Sequence, residues 1–590
     1  MNAGRVYEFG DFRLDTGGRL LFREGRRLAL SPKAVELLVA LVEAQSNPVS
    51  KEQLLNSVWA DAVVEEGSVT SHVSLLRKAL GGQYIETIPK RGYRFVGAIK
   101  QVSELHERPP QIRSLAVLPL ESLDRDPDGD CFADSMTEAV ITNLAKISAL
   151  RVVSRTSVMR YKNTRKSMPE IGRELGVDAL IEGSVQREGH RVRINARLIG
   201  ALADQHLWAD AYDRDLRDVL ILQNEVARTI AREIQVKLTP DENSRLSSGR
   251  TVDPDAYQLY VKGRYFWVKR NATDESFTHA IACFLQAIER DPSYAAAYSG
   301  LADCYSSLGF SFDIGSRRPI DVQPKAKSAA LKAIELDDSL AEAHNSLAYV
   351  KLNYEWDWPG AEAEFKRSLQ LNPGYEHGHH WHAHFLLSSG RVNEALAESH
   401  RALELDQLSP LMHLHLGWHY LYSQQYDRAL EQLSRTLELD PAYGMAYWYR
   451  GLAYEQKGMF ADALRELRRA KEFLKVNLNV DADMGRVCAL SGRRREADRA
   501  MARLKRESRG RYVNPYQIAL IHIGLGQKEP AFEWLNKAFQ ERSDMLVYLK
   551  LDPRLNPIRS DSRFVDLERR IGFPARSDYS GVTVNRNIPR

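Results

Sequence analysis

Two stretches of this 590-residue chain concentrate side chains able to do chemistry. Between Val69 and Lys100 the cations Arg77, Lys78, Lys90, Arg91, Arg94 and Lys100 stand against a single acid, Glu86. The local balance is +5, in a chain whose formal net charge is only +4. Fixed positive charge at that density suits a polyanion such as a nucleic-acid backbone, held by neutralising phosphates and releasing counterions. The second stretch is Tyr375-Glu376-His377-Gly378-His379-His380-Trp381-His382-Ala383-His384. On one helix His377, His380 and His384 share a face, and the i,i+4 pair His380 and His384 has a spacing that chelates metals. No carboxylate or cysteine completes a ligand set, so neither a metal nor a cofactor is assigned, and the histidines are read as polar residues of a partner-binding groove.

Catalytic patterns are missing elsewhere. There is no G-x-x-x-x-G-K-[ST], G-x-S-x-G or H-E-x-x-H, and the glycines form no dinucleotide fingerprint, so the chain is read as non-enzymatic. Asp124, Asp126, Asp128 and Asp130 alternate as calcium ligands do, but no glutamate closes an EF-hand loop, and a solvated loop is expected. The cysteines, Cys131, Cys283, Cys304 and Cys488, are widely spaced and suit a reducing compartment. No basic head with an apolar run opens the chain, and no eighteen apolar residues occur in succession. The expected address is cytoplasmic, without a membrane.

The first basic stretch needs elements to hold it. Short alternating segments over Val6–Leu30 predict small antiparallel strands. Ser31-Pro32 then opens a helix through Val35, Leu38, Val39 and Val42. Ser50 and Gln53 form a capping box for a second helix that ends near Trp59. A third, about Ser68–Leu80, puts Val69, Val73, Leu76 and Leu80 on one face and Thr70, Ser71, Ser74, Arg77 and Lys78 on the other. Two β-type runs, Tyr84–Ile88 and Tyr93–Ile99, meet at Pro89-Lys90-Arg91-Gly92, a hairpin tip with two positive charges.

The wording Leu76-Arg77-Lys78-Ala79-Leu80 and Ile85-Glu86-Thr87-Ile88-Pro89-Lys90-Arg91-Gly92-Tyr93-Arg94-Phe95 resembles the winged helix-turn-helix output domain of OmpR/PhoB-type regulators, with a wing similar to that of one-component regulators of CadC and ToxR type. The resemblance covers about the first hundred residues. It implies that the third helix enters the major groove of double-stranded DNA and that the hairpin touches the adjacent minor groove or backbone. Thr70, Ser71, Ser74 and Leu75 then lie nearest base edges, with His72 and Tyr93 beside them. Arg77, Lys78, Lys90, Arg91 and Arg94 fall to phosphates, Arg94 alternatively to a narrow minor groove. The domain begins almost at Met1 and a proline-marked stretch follows it, so neither a receiver domain nor a membrane helix is expected, and the signal is expected to be cytoplasmic.

Between two polar, proline-marked stretches the chain reads as α/β: strand Ser114–Leu120, helix Asp134–Lys146, strand Leu150–Ser154, helix Pro169–Leu175, a hairpin turning at Glu188-Gly189, strand Gln205–Tyr212 and a helix from about Val219. Leu115-Ala116-Val117-Leu118-Pro119-Leu120, Leu180-Ile181-Glu182-Gly183-Ser184-Val185 and His206-Leu207-Trp208-Ala209 resemble a TolB-amino-terminal-like domain, which implies an architecture and no reaction. The cluster Arg151, Arg155, Arg160, Lys162, Arg165 and Lys166 is a weaker candidate for DNA contact.

Beyond Asp291, Leu336-Asp337, Leu371-Asn372-Pro373, Leu405-Asp406 and Leu439-Asp440-Pro441 recur every thirty-four or thirty-five residues. Gly417, Tyr420, Ala429 and Leu433 are echoed by Gly451, Tyr454, Ala463 and Leu467. This resembles tetratricopeptide repeats, stacked helix pairs whose concave face receives a protein or peptide. Trp418, Trp448 and Tyr447 are candidate anchors there, with His377, His380 and His384. Phe310–Val322 reads as an insertion.

The expected fold is therefore multidomain: an α+β winged helix-turn-helix over 1–102, a linker over 103–112, an α/β domain over 113–240, a linker over 241–254, an all-α repeat solenoid over 255–575 and a tail over 576–590. The expected function is sequence-specific regulation of transcription by a dimer or tandem array, controlled through the repeats. The alternative is a scaffold whose winged helix contacts proteins and not DNA.

Overall fold

The computed structural model describes residues 6–16, 20–23, 26–28, 30, 32–45, 47–59, 66–102, 112–124, 127–202, 204–247, 249–268, 274–310, 316–474 and 477–574. Two compact units result, 1–111 and 112–590.

The first unit runs β1 (Val6–Phe9), β2 (Phe12–Asp15), β3 (Leu20–Arg23), β4 (Arg26–Arg27), α1 (Pro32–Glu43), α2 (Lys51–Val58), α3 (Glu66–Leu80), β5 (Ile85–Ile88), β6 (Gly92–Phe95) and β7 (Lys100–Val102). An antiparallel sheet of order β4-β3-β2-β1-β7 buries Tyr7, Phe9, Phe12, Leu14 and Leu21 by strand alternation. Against it pack Leu37, Leu38, Leu41, Leu54, Val69, Val73 and Leu76 from the three helices. Ser50 and Gln53 form the expected reciprocal capping box on α2. The proposed cap Ser31 lies outside the described residues, as does most of the 103–112 linker.

The hairpin β5–β6 is tied to the helices through its second strand: Val49 and Tyr93 exchange backbone hydrogen bonds at 2.8 and 2.9 Å. That approach explains Gly92. Its φ is +109°, and a Cβ there would sit 2.0 Å from the Val49 carbonyl oxygen.

In the second unit a mixed sheet comes first. β8 (Ser114–Val117) lies between β10 (Arg151–Val152) and β11 (Ala179–Glu188), parallel to both. β9 (Glu121–Ser122) also pairs with β11, which continues antiparallel into β12 (Arg191–Gly200) and β13 (Gln205–Asp215). The expected solvated acidic loop is a helix from Pro127 onward, α4 (Pro127–Ala145); half-buried Asp124 accepts the Arg187 N–H, Asp130 is exposed, and Asp126 lies outside the described residues.

The stretch 241–254 is not a linker. Pro240–Ser247 is helical, Leu246 is fully buried, and Glu242 accepts from the N–H and hydroxyl of Ser148 at 2.9 and 2.7 Å. Buried Val252, Ala256 and Tyr257 then merge the sheet's core with that of the first repeat helix. Ser157 donates to Asp406 at 2.6 Å and Gly374 to the Ala145 carbonyl at 3.0 Å, so the α/β part and the repeats form one body. Of the expected basic cluster, Lys162 pairs with Asp134, Lys166 with Glu174 and Arg155 with Glu138, all within this unit.

Helix pairs follow from Pro254–Val268 and Asp274–Arg290 to Pro515–Gly524 and Lys528–Gln540. Gly417 and Gly451 are needed for their close approach, since a Cβ would come 2.9 and 2.7 Å from Leu433 and Leu467. The proposed insertion resolves into a helix beginning at Pro319, with 311–315 outside the described residues. After the last pair the chain turns back. The 3-10 segments Asp544–Tyr548 and Pro553–Ile558 bury Met545, Leu546, Val547, Tyr548 and Leu555 against the first helices of several pairs.

Candidate nucleic-acid interface and repeat cavity

The helix α3 presents Thr70, Ser71, Ser74, Leu75 and Lys78 to solvent on one side, while Val69, Val73, Leu76 and Leu80 anchor the other. A helix with that exposed row fits a major groove, where hydroxyls bond base edges and an apolar side chain meets a thymine methyl. The turn between β5 and β6 exposes Lys90 and Arg91, with Lys90 in the left-handed region at φ 62°.

Behind the repeats' first helices lies a cavity of about 410 Å³. Aromatic walls from Phe310, Tyr349, Tyr375 and Trp381 meet polar groups of Asp303, Asn345, His377, His380 and His415. That mixture, apolar faces with a few converging polar groups, is what small-ligand sites offer. Burial pushes the Asp303 carboxyl up to about 6 despite Arg264 nearby.

Trp418 and Trp448 are not groove anchors. Both are fully buried, Trp418 against Tyr422 and Tyr548, Trp448 with its indole N–H donating to Asp483 at 2.8 Å. The chain's own 544–558 segment, through Tyr548, occupies the surface that Trp418 was expected to offer. Arg554 fixes it there, bonding Asp552 at 2.8 Å and Asp483 at 2.9 Å. His377 remains half-buried at the cavity wall, while His380 and His384 are buried.

Residues 25–95 match the family described as "Transcriptional regulatory protein, C terminal". The amino-terminal unit is a winged helix-turn-helix of the OmpR/PhoB output type. Residues 414–474 match a tetratricopeptide repeat family. Among relatives, the transcriptional regulator HilA of Salmonella typhimurium is 27% identical over 412 residues, 68% of this chain and 71% of HilA. A Rhizobium meliloti protein whose name assigns it to the adenylate cyclases is 39% identical over 245 residues, so the chain spans 41% of that relative's length and 41% of its own. The transcriptional activator CadC of Escherichia coli is 31% identical over 105 residues, 17% of this chain and 20% of CadC.

Within the winged helix-turn-helix, four of the expected contact residues have partners inside the unit. Tyr93 is buried, its hydroxyl 3.4 Å from that of Thr70, because β6 turns it inward beside Phe95. His72 folds back, with Nδ1 at 2.8 Å from the Ser68 carbonyl and its ring edge-on to Trp59. Arg77 donates into the hairpin, to Ile85 and Thr87. Arg94 pairs across the hairpin with Glu86 at 2.5 Å. Strand alternation in Tyr93-Arg94-Phe95 signals the inward tyrosine, but the Arg77 and Arg94 partners depend on how helix and hairpin meet. In the repeats, His415 and Arg554 went unnoticed. His415 stands thirty-five residues after His380, one repeat period, as His419 does after His384.

Proposed function

We propose that this protein is a transcriptional regulator that binds double-stranded DNA sequence-specifically, with α3 in the major groove and the hairpin on the neighbouring backbone. The observation that carries this reading is the exposed row Thr70, Ser71, Ser74, Leu75 and Lys78 beside exposed Lys90 and Arg91. Hydroxyls and Leu75 supply the base contacts; Lys78, Lys90 and Arg91 supply phosphate contacts.

Control is exerted through the repeats, and the 410 Å³ cavity is the place for an effector or for the end of a partner peptide. DNA is held by a dimer or tandem array. The cytoplasm is the working compartment, in keeping with four cysteines that form no disulfide. The α/β part, on its Leu115–Leu120 and Leu180–Val185 wording, is TolB-amino-terminal-like and joins output to sensor.

The full chain titrated onto its own upstream DNA at several salt concentrations tests this. Lys90→Glu with Arg91→Glu is expected to flatten the plot of log K against log salt by at least about two contacts. Equal, negligible binding by both proteins sinks the reading and favours the scaffold. The match to the Rhizobium protein raises one enzymatic alternative, which formation of cyclic AMP from ATP and magnesium by the full chain would establish; none is expected.

A further inference from the structure

Three imidazoles converge inside the repeats. On the helix Glu376–Ser388, His384 Nε2 lies 3.1 Å from His380 Nε2, and on the helix Pro410–Tyr422 it meets His415 Nδ1 at 3.1 Å. One nitrogen from each of the three rings falls within 4.8 Å of the others. In a tetrahedral site with bonds of about 2.0–2.1 Å to imidazole, neighbouring ligand atoms stand about 3.3–3.4 Å apart, so only small ring movements separate this triad from a ligating one.

We propose that His380, His384 and His415 bind one first-row divalent cation of zinc type, with a fourth position left for water or an anionic group arriving through the cavity.

Two observations support this. The first is the cavity itself: His380 and His415 line it, and Asp303 and Asp440 supply negative potential in its wall. A dication held by three neutral ligands needs such compensation when desolvated. The second is orientation. The Tyr548 hydroxyl lies 3.2 Å from His384 Nδ1, which turns Nε2 toward the other two rings as an outer hydrogen bond does in metal sites. His380 Nδ1 is buried with no hydrogen-bond partner, so nothing on that side holds the ring to another use. His419 is outside the set, because the cluster of ligand atoms within 4.8 Å of one another comprises His380, His384 and His415.

The chemistry is that of His₃ sites, borderline-soft nitrogen ligands that favour Zn²⁺, Co²⁺, Ni²⁺ or Cu²⁺ over Mg²⁺ and Ca²⁺. Such an ion would tie two successive helix pairs, since His380 and His384 belong to one and His415 to the next.

The full-length protein, stripped with chelator, is titrated with Co²⁺ and separately loaded with Zn²⁺ for X-ray absorption. Expected are one ion per chain, the ligand-field absorption of tetrahedral Co²⁺, and three imidazole nitrogens at about 2.0–2.1 Å around Zn²⁺. His380→Gln and His415→Gln should each weaken Co²⁺ binding by at least about tenfold, while the control His279→Gln leaves it unchanged. A failure to retain any ion identifies the triad as an imidazole hydrogen-bond network only and overturns the proposal. So does undiminished binding in both variants, or absorption data requiring sulfur or carboxylate ligands. Should a variant misfold, the wild-type X-ray absorption decides alone.

Discussion

Arg77 reaches from α3 into the hairpin and donates twice to the Ile85 carbonyl, from Nε at 3.0 Å and from Nη2 at 2.9 Å. Nη2 also donates to Thr87 at 2.8 Å. A fork of this kind fixes the angle between α3 and the hairpin, because the planar guanidinium cannot hold both bonds if either element rotates.

Removing that fork should therefore act through structure. Arg77→Ala is expected to destabilise the winged helix-turn-helix by about 1–3 kcal/mol and to weaken DNA binding on all sequences alike, and Arg77→Lys should not restore either. Urea unfolding alongside DNA titration checks this. Lys78→Ala should weaken DNA binding with unchanged unfolding.

Gly92 offers a sharper local test. With φ at +109° and the Val49 carbonyl oxygen 2.0 Å from any Cβ, Gly92→Ala must push the hairpin off the α2 entrance. A loss of at least about 1–3 kcal/mol in the first unit is expected, read by thermal unfolding, together with lost DNA affinity.

The returning carboxy-terminal segment depends on Arg554, which is buried among Asp483, Asp552 and the Tyr422 hydroxyl. Replacing the arginine leaves two carboxylates without their cation, at a cost of about 3–5 kcal/mol. Arg554→Met should expose 544–558 to limited proteolysis at protease levels that leave the wild type intact.

A pH dependence follows from Asp483, fully buried, whose carboxyl is pushed up to about 6 by desolvation against the pull of Arg554. An unfolded aspartate titrates near about 3.9, so between these values the folded state holds the extra proton. The stabilisation from this group is complete below about 3.9 and is lost as pH rises through about 6, at up to about 1.4 kcal/mol per pH unit. Asp483→Asn should flatten that part of the stability profile, measured by urea unfolding from pH 4 to 7.

Local signals made much of this legible. The Ser50–Gln53 box, the apolar row of α3, the Lys90-Arg91 tip and the thirty-five-residue period each follow from residues close in sequence, and each appears in the structure. What escaped the sequence depends on distant partners. Arg77 looks solvated until Ile85 is placed beneath it. Trp418 looks like an anchor until Tyr548 packs over it, and Trp448 until Asp483 accepts its indole N–H. His415 follows His380 by one repeat period, and a repeat sets equivalent residues side by side on adjacent helices, but nothing within the His380 helix itself signals it. Leu246 alone could not show that 241–254 packs, because its polar, serine-rich neighbours give no helical apolar row.

Recovery of a binding site from a randomised duplex library tests the central claim most directly. The full chain should enrich one short motif, and Ser71→Ala with Ser74→Ala should blur or change it at particular positions while leaving the salt dependence intact. Enrichment of no motif, with affinity no better than for random duplex, would contradict sequence-specific regulation by this protein.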